Sequence, residues 1–150
     1  MPKTQFMGFS FSKLFNKSSE ATSNDSIEAI INSIELEPYG VSEHNVLFSG
    51  LNELGGYFFF QTVVVGTLNV KCKNGAQLIF KGQDFELTLH SDSLEFETNP
   101  TETKGRFVTN IDFQIEESDI KQLEKAKLNE IRLKVKKQDL LFTKYTSSIK

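Results

Sequence analysis

Apolar and polar residues alternate along much of the chain between residues 85 and 142, and this alternation predicts half-buried β-strands. Successive side chains on a strand point to opposite faces of a sheet. The positions that share one face are apolar: Phe85, Leu87, Leu89, Leu94, Phe96, Ile111, Phe113, Ile115, Ile131, Leu133 and Val135. Their neighbours are mostly charged or polar, as at Asp112. One face should therefore be packed and the other exposed to water, which is typical of an antiparallel sheet.

Turn-forming residues divide the chain into a series of short strands. We predict strands at residues 46–49, 57–65, 67–72, 76–81, 84–90, 94–98, 106–116, 130–136 and 140–145. Lys73, Asn74 and Gly75 predict a tight hairpin between the third and fourth of these strands, because Asn and Gly tolerate a positive φ. The continuous apolar run from Tyr57 to Phe60 predicts a strand buried on both faces or, alternatively, an exposed patch.

Two short helices are predicted beside the strands. Asp25 and Glu28 have the spacing of a capping box, and a stripe of apolar residues at helical spacing follows. The stripe consists of Ile27, Ile30, Ile31 and Ile34. Pro38 ends this helix. A second helix is predicted over residues 118–127, with Ile120 and Leu123 on its buried side.

These elements predict a mainly β fold, either an antiparallel sandwich or a flattened barrel, of about nine or ten strands with two short helices. A chain of 150 residues is long enough for one hydrophobic core. We expect a single β-rich domain over residues 25–150. Residues 1–24 are expected to form an amphipathic arm followed by a polar linker.

The arm is a candidate contact surface. Written as a helix, it has one apolar stripe and nearby lysines that suit a protein partner or an anionic membrane surface. The candidate contact residues are Met7, Phe11, Leu14 and Phe15, with Lys13 and Lys17 on the polar side. Two alternatives are that the arm folds back onto the domain and that it is an unstructured terminus.

Charge is distributed unevenly along the chain. Residues 1–17 contain three lysines and no acidic residue, and the net charge of the whole chain is -3. A basic stripe near the other end, Arg132, Lys134 and Lys136, is a second candidate contact for a membrane or partner, with plain solvation as the alternative. Nucleic acid is not an expected partner, because no aromatic residues interleave with the lysines.

Candidate catalytic groups are few. His44 lies in a polar stretch, and His90 is followed closely by Asp92 in a spacing that does not make a triad or a zinc site. Cys72 is the single cysteine, and the alternation places it on a buried side. We therefore predict no catalytic residues, no metal and no cofactor. The lack of a disulfide framework favours a cytoplasmic protein, with peripheral membrane association as a further prediction.

Three classes of function follow. The first is a non-catalytic interaction or structural module that docks to a membrane or partner through its arm. The second, which is the alternative to the first, is a β-barrel or sandwich that binds a small apolar ligand within its Phe-rich interior. The third is an enzyme that uses carboxylates alone, since acidic side chains distant in sequence can meet in a fold. The pattern leaves the oligomeric state open.

Overall fold

The computed structural model describes residues 27–146, which contain two helices and eleven strands. The helices are α1 (Ile27–Ser33) and α2 (Glu117–Lys125). The strands are β1 (Pro38–Val41), β2 (Asn45–Leu54), β3 (Tyr57–Gly66), β4 (Lys71–Cys72), β5 (Ala76–Gly82), β6 (Phe85–His90), β7 (Phe96–Glu97), β8 (Asn99–Pro100), β9 (Phe107–Ile115), β10 (Leu128–Val135) and β11 (Gln138–Lys144).

Nine strands form one antiparallel sheet in the order β6-β5-β10-β11-β1-β2-β3-β9-β8, and β4 pairs with β7 in a small second sheet. The large sheet curls until Ser91, just after β6, forms a bridge with Phe113 of β9. Beside this bridge the amide of Asp92 donates to the carbonyl of Asp112 at 2.8 Å. The predicted mainly β, antiparallel fold is confirmed, and the curled sheet is a half-barrel.

The inner face of the curled sheet carries the larger hydrophobic cluster, which draws residues from most of its strands. Its fully buried members include Leu47, Phe80, Phe113, Ile131, Leu133 and Phe142. Thr62 is a polar residue in this interior, and its hydroxyl donates to the carbonyl of Ile111 at 2.6 Å. The strands predicted from alternation at 106–116 and 130–136 therefore have the packed face that was expected.

Helix α1 covers part of the outer face of the sheet. Ile30 and Ile34 are buried against Val46, Phe48, Val63 and Val65 of β2 and β3, and Ile27 and Ile31 pack at the edge of the same cluster. The predicted packing of the four isoleucines is confirmed, although the helix ends at Ser33, before Ile34 and well before Pro38. Because β2 and β3 are covered on both faces at this point, their sequences are continuously apolar there rather than alternating.

The strand β2 runs between two differently packed ends of the half-barrel. At its start, the amide of Leu68 donates to the side chain of Asn45 at 3.0 Å. Leu68 leads into β4, and with Val70 and Cys72 it is buried against the inner cluster. We call this region, residues 68–72 with β7, the packed end. Towards the other end of β2, Leu51 is only half-buried and lies beneath α2.

Three local expectations are wrong. The hairpin predicted at Lys73, Asn74 and Gly75 does not form, because β4 pairs with β7 and β5 pairs with β6 and β10. Leu94 was expected on the packed face but is 61% exposed. The chain after Pro38 was not predicted to be a strand, yet β1 pairs with both β2 and β11. Each error concerns which segments meet in space, which alternation within one segment does not encode.

Candidate functional site

A cleft of about 870 Å³ opens at the end of the half-barrel beneath α2. Its apolar wall is formed by side chains from β1, β2, β3, β9, α2 and β10. These side chains are Tyr39, Leu51, Phe60, Ile115, Ile120, Leu123 and Leu128. A volume of roughly 300 to 1,000 Å³ with a mainly apolar lining is usual for small-molecule sites. We call this region the α2 cleft.

The α2 cleft exists because two neighbouring strands part. The ladder between β10 and β11 extends from Val135 and Gln138 only as far as Ile131 and Phe142. Beyond Phe142, the residues Thr143 and Lys144 pair with β1 instead. The start of β10 continues to pair with β5, with an irregularity between Leu128 and Glu130. The gap between these diverging segments is lined by Leu128 and Asn129 on one side and by Thr143 and Lys144 on the other.

Two glycines allow the close backbone approaches at this gap. A Cβ at Gly40 would lie 3.2 Å from the Cβ of Phe142 and 3.3 Å from the carbonyl oxygen of Thr143. A Cβ at Gly82 would collide with the carbonyl oxygen of Lys127. Glycine at these positions therefore lets β1 lie against β11 and lets the link from α2 to β10 lie against β5.

The rings of Tyr39 and Phe60 form the aromatic base of the cleft, and the fully buried Phe80 supports them. The rings of Tyr39 and Phe60 meet edge to face with centroids 5.5 Å apart, and Phe80 packs against both. Such edge-to-face pairs stabilise a core beyond their burial alone. Burial raises the pKa of the Tyr39 hydroxyl to about 12. Tyr39 is therefore a neutral phenol at physiological pH.

The rim of the cleft carries charged side chains. The ammonium Nζ of Lys144 lies 4.6 Å from the centroid of the Tyr39 ring and donates to the carbonyl of Tyr145 at 3.3 Å. Lys127 and Glu124 also line the cleft. Within residues 27–146, no ion pair joins Lys127 or Lys144 to a carboxylate. The rim therefore has two ammonium groups and one carboxylate.

Helix α2 covers the cleft loosely. None of its residues is fully buried, and its apolar contacts come from Ile120 and Leu123, both half-buried. The second predicted helix is thus confirmed in position, although its packing leaves space beneath it. A segment with few buried contacts opens at a lower free-energy cost than the core of a domain.

A cluster of polar side chains lies on the outer face of β3 and β9. Gln61 is buried and hydrogen-bonds to Asp112, and Asp92 accepts from Gln114 at 2.7 Å. Burial raises the pKa of Asp112, the hydrogen bond from Gln61 opposes this rise, and the charge of Asp92 adds to it. The expectation that Asp112 is a freely exposed residue is wrong: it is half-buried.

The basic stripe predicted as a contact surface lies on β10 and its turn. Arg132 is engaged by two carboxylates, at 3.0 Å from Asp139 and 3.3 Å from Glu130. These hydrogen bonds, which Arg132 donates first to Asp139 and then to Glu130 in order of effect, raise the pKa of Arg132. Lys134 is exposed in β10, and Lys136 adopts a φ of 55° in the turn before β11. The role of this stripe stays a prediction.

The predicted arm residues Met7, Phe11, Leu14, Phe15, Lys13 and Lys17 lie outside the described residues, as does the capping residue Asp25. Neither the alternation nor the helical spacing predicted that Tyr39, Lys127 and Leu128 belong to one site. No local signal for this grouping was present, because the strand of Tyr39 meets this region only through the pairing of β1 with β11.

The histidines do not gather with other candidate catalytic groups in the described region. His44 is exposed in the turn before β2, with its Nε2 3.8 Å from the carboxylate of Glu43, and His90 is exposed at the end of β6. Cys72 is buried, as expected, and its thiol donates to the carbonyl of Gly75 at 3.3 Å. Residues 27–146 contain no group of three or more His, Cys, Asp or Glu side chains placed to hold a metal ion. In the same region, neither helix has the length and apolar character needed to cross a bilayer.

Comparison with known proteins adds no relative to this description. No protein-family model matches the chain, no curated protein matches its sequence, and no solved structure matches its fold.

Proposed function

We propose that this protein is a non-catalytic binding protein whose α2 cleft holds a small apolar molecule. The observation that carries the proposal is the cleft itself, with about 870 Å³ of space above an aromatic base. Filling such a space with an apolar ligand removes hydrocarbon surface from water on both sides, at roughly 25 cal/mol per Å².

The composition of the lining supports binding over catalysis. Its polar side chains, as described, are hydroxyls, one amide, two ammonium groups and the single carboxylate of Glu124. General acid–base catalysis by carboxylates usually needs two such groups facing one substrate. The carboxylates of Asp92 and Asp112, which interact electrostatically, lie on the outer face of the sheet and not in the cleft.

Fluorescence of the neutral apolar dye Nile red tests this proposal. We expect dye binding that is lost, by about tenfold or more in affinity, when Ala126→Trp places an indole in the cleft. Ala126 lines the cleft and is half-buried. Leu141→Trp is the matched control, because Leu141 is 46% exposed on β11 and does not line the cleft.

Native mass spectrometry of the purified protein provides a second measurement, since a retained ligand would add a discrete mass. The proposal fails if the wild type does not bind the dye, or if the two tryptophan variants bind it equally. Equal binding would place the dye at another apolar surface, such as the exposed Leu54 and Tyr57 at the β2–β3 hairpin.

A further inference from the structure

We infer that the ligand of the α2 cleft is a free amphiphile with an apolar body and a carboxylate headgroup, held at the rim by Lys144 and Lys127. This inference rests on the proposed function, and it specifies the chemistry of the ligand. Its basis is the arrangement of charge around an apolar space, which a neutral ligand would not use.

Lys144 is held in place at the cleft by an aromatic ring and a carbonyl group. Its ammonium lies over the face of the Tyr39 ring, at a distance at which a cation is attracted by an aromatic ring. One N–H bond is directed to the carbonyl of Tyr145. A lysine ammonium has three donors, so two remain for another acceptor. Because the side chain is already held at the cleft, less conformational entropy is lost when an anion binds.

Positive charge exceeds negative charge at the rim of the cleft. Lys127 and Lys144 have no ion-pair partner within residues 27–146, whereas Arg132 on the neighbouring surface is engaged by Asp139 and Glu130. The carboxylate of Glu124 is the only opposing charge in the lining. A single carboxylate on the ligand would therefore meet two available cations, with its apolar body on Leu51, Phe60 and the other wall residues.

The N-terminal arm is a less favourable occupant of the cleft than a free anion. The stripe of Phe11 and Phe15 is apolar enough to enter a cleft, but residues 1–17 contain three lysines and no acidic residue. Placing this segment beside Lys127 and Lys144 would bring like charges together, which is unfavourable. A free anion has the opposite charge. Charge complementarity thus favours the carboxylate ligand.

Isothermal titration calorimetry with three probes of equal chain length tests the inference on the full chain. The probes are dodecanoate, dodecanol and dodecyltrimethylammonium, each below its micelle concentration. We expect dodecanoate to bind at least about fivefold more tightly than dodecanol, the effect of a partly exposed charge pair. The cationic probe should bind most weakly, and added salt should weaken only dodecanoate binding.

Substitutions at the rim give the residue-level test. Lys144→Gln should weaken dodecanoate binding about fivefold and leave dodecanol binding unchanged, and Lys144→Arg should retain tight binding. Glu124→Gln should act in the opposite direction and strengthen dodecanoate binding about twofold. Lys71→Gln is the control for net charge, because Lys71 is an exposed lysine of β4 outside the cleft. Circular dichroism confirms that each variant is folded.

The possible results separate the inference from the proposed function. If dodecanol binds as tightly as dodecanoate, or if Lys144→Gln weakens the binding of both equally, the cleft binds apolar ligands without recognising the headgroup. Only the inference then fails. If none of the three probes binds and Nile red also does not, both fail. If the protein binds phosphatidylglycerol vesicles but not dodecanoate, the anion that it recognises is a membrane surface rather than a free amphiphile. That result would overturn the inference.

The arm has its own test in the full chain. Phe11→Ser combined with Phe15→Ser should leave dodecanoate affinity unchanged. An increase of about tenfold or more would show that the arm competes for the cleft, and would overturn the assignment of its occupant.

Discussion

Both ends of the half-barrel carry apolar side chains, but only one end is tightly packed. At the packed end, Leu68, Val70 and Cys72 are each less than 10% exposed, although β4 and β7 contain only two residues each. At the α2 end, a helix of nine residues has no buried residue and leaves a cleft of about 870 Å³. The length of an element therefore does not decide how well it closes a core.

Hydrogen bonds explain much of this difference. At the packed end, the amides of Leu68 and Val70 donate to the side chains of Asn45 and Thr98, and Thr98 also bonds to Thr109 at 2.6 Å. These bonds hold an irregular segment against the core. The residue that precedes helix α2, Glu116, provides no side-chain cap. The apolar contacts of α2 with the half-barrel come from the half-buried Ile120 and Leu123, which suits a cover over the proposed binding site.

Truncation of one leucine at each end should give the largest contrast. Leu68→Ala should reduce the free energy of unfolding by about 2 to 4 kcal/mol, because it leaves a cavity in a packed core. Leu123→Ala should cost about 1 kcal/mol, because its side chain already faces open space. Urea denaturation measures both. Equal losses would mean that α2 is packed as tightly as the other end.

Hydrogen exchange should show the same contrast without substitution. The amide of Val70, bonded to Thr98, should exchange at least about tenfold more slowly than the amides of α2, because segments with few buried contacts open more readily. Mass spectrometry of peptic fragments resolves the two regions. Saturating dodecanoate should slow exchange in α2 and leave residues 68–72 unchanged, whereas protection of both regions would point to a global effect of the ligand.

The free energy of unfolding should depend on pH through Tyr39, which lies at the α2 end. Its folded pKa of about 12 lies above the ordinary value of 10.0. Between these values the unfolded chain ionises first, so the stability of the wild type should fall as pH rises above about 10. Tyr39→Phe should lack this part of the loss. The urea midpoint of each protein, followed from pH 8 to 11, provides the measurement, with Tyr57→Phe on the exposed hairpin as the control.

The smallest effect is expected on the outer face, away from both ends. Burial raises the pKa of Asp112 above its ordinary value of 3.8. The contribution of Asp112 to the free energy of unfolding should therefore fall as the pH rises above 3.8. Asp112→Asn should therefore stabilise the protein at pH 7, by about 0.5 to 1 kcal/mol, and the gain should vanish at low pH. The Asn amide can also donate to the buried Oε1 of Gln61, which has no partner within the described region.

The matched control for this prediction is Glu86→Gln on β6, an exposed acidic residue of the same sheet. It should leave the urea midpoint unchanged at both pH values. A stabilising effect of similar size there would mean that general charge repulsion, rather than the burial of Asp112, is responsible.

Much of the fold was predictable from local pattern, whereas the site was not. Alternation identified the buried faces at Ile111, Phe113 and Ile115 and at Ile131, Leu133 and Val135, and helical spacing identified the stripe of α1. The aromatic base of the cleft, Tyr39 and Phe60, packs on Phe80, and these three residues lie on three strands far apart in the chain. Lys144 reaches Tyr39 only because β11 pairs with β1.

The sequence by itself determined which side of the long strands and of the helices faces a core, because the twofold period of a strand and the 3.6-residue period of a helix are local properties. The short segment at Leu94 is an exception. It also determined that one antiparallel, mainly β fold would result. Only the tertiary structure decided that β4 pairs with β7, that β10 and β11 part beyond Ile131 and Phe142, and that Asp112 is half-buried. These features depend on the pairing of distant strands, which is chosen by the packing of the whole barrel and not by any one segment.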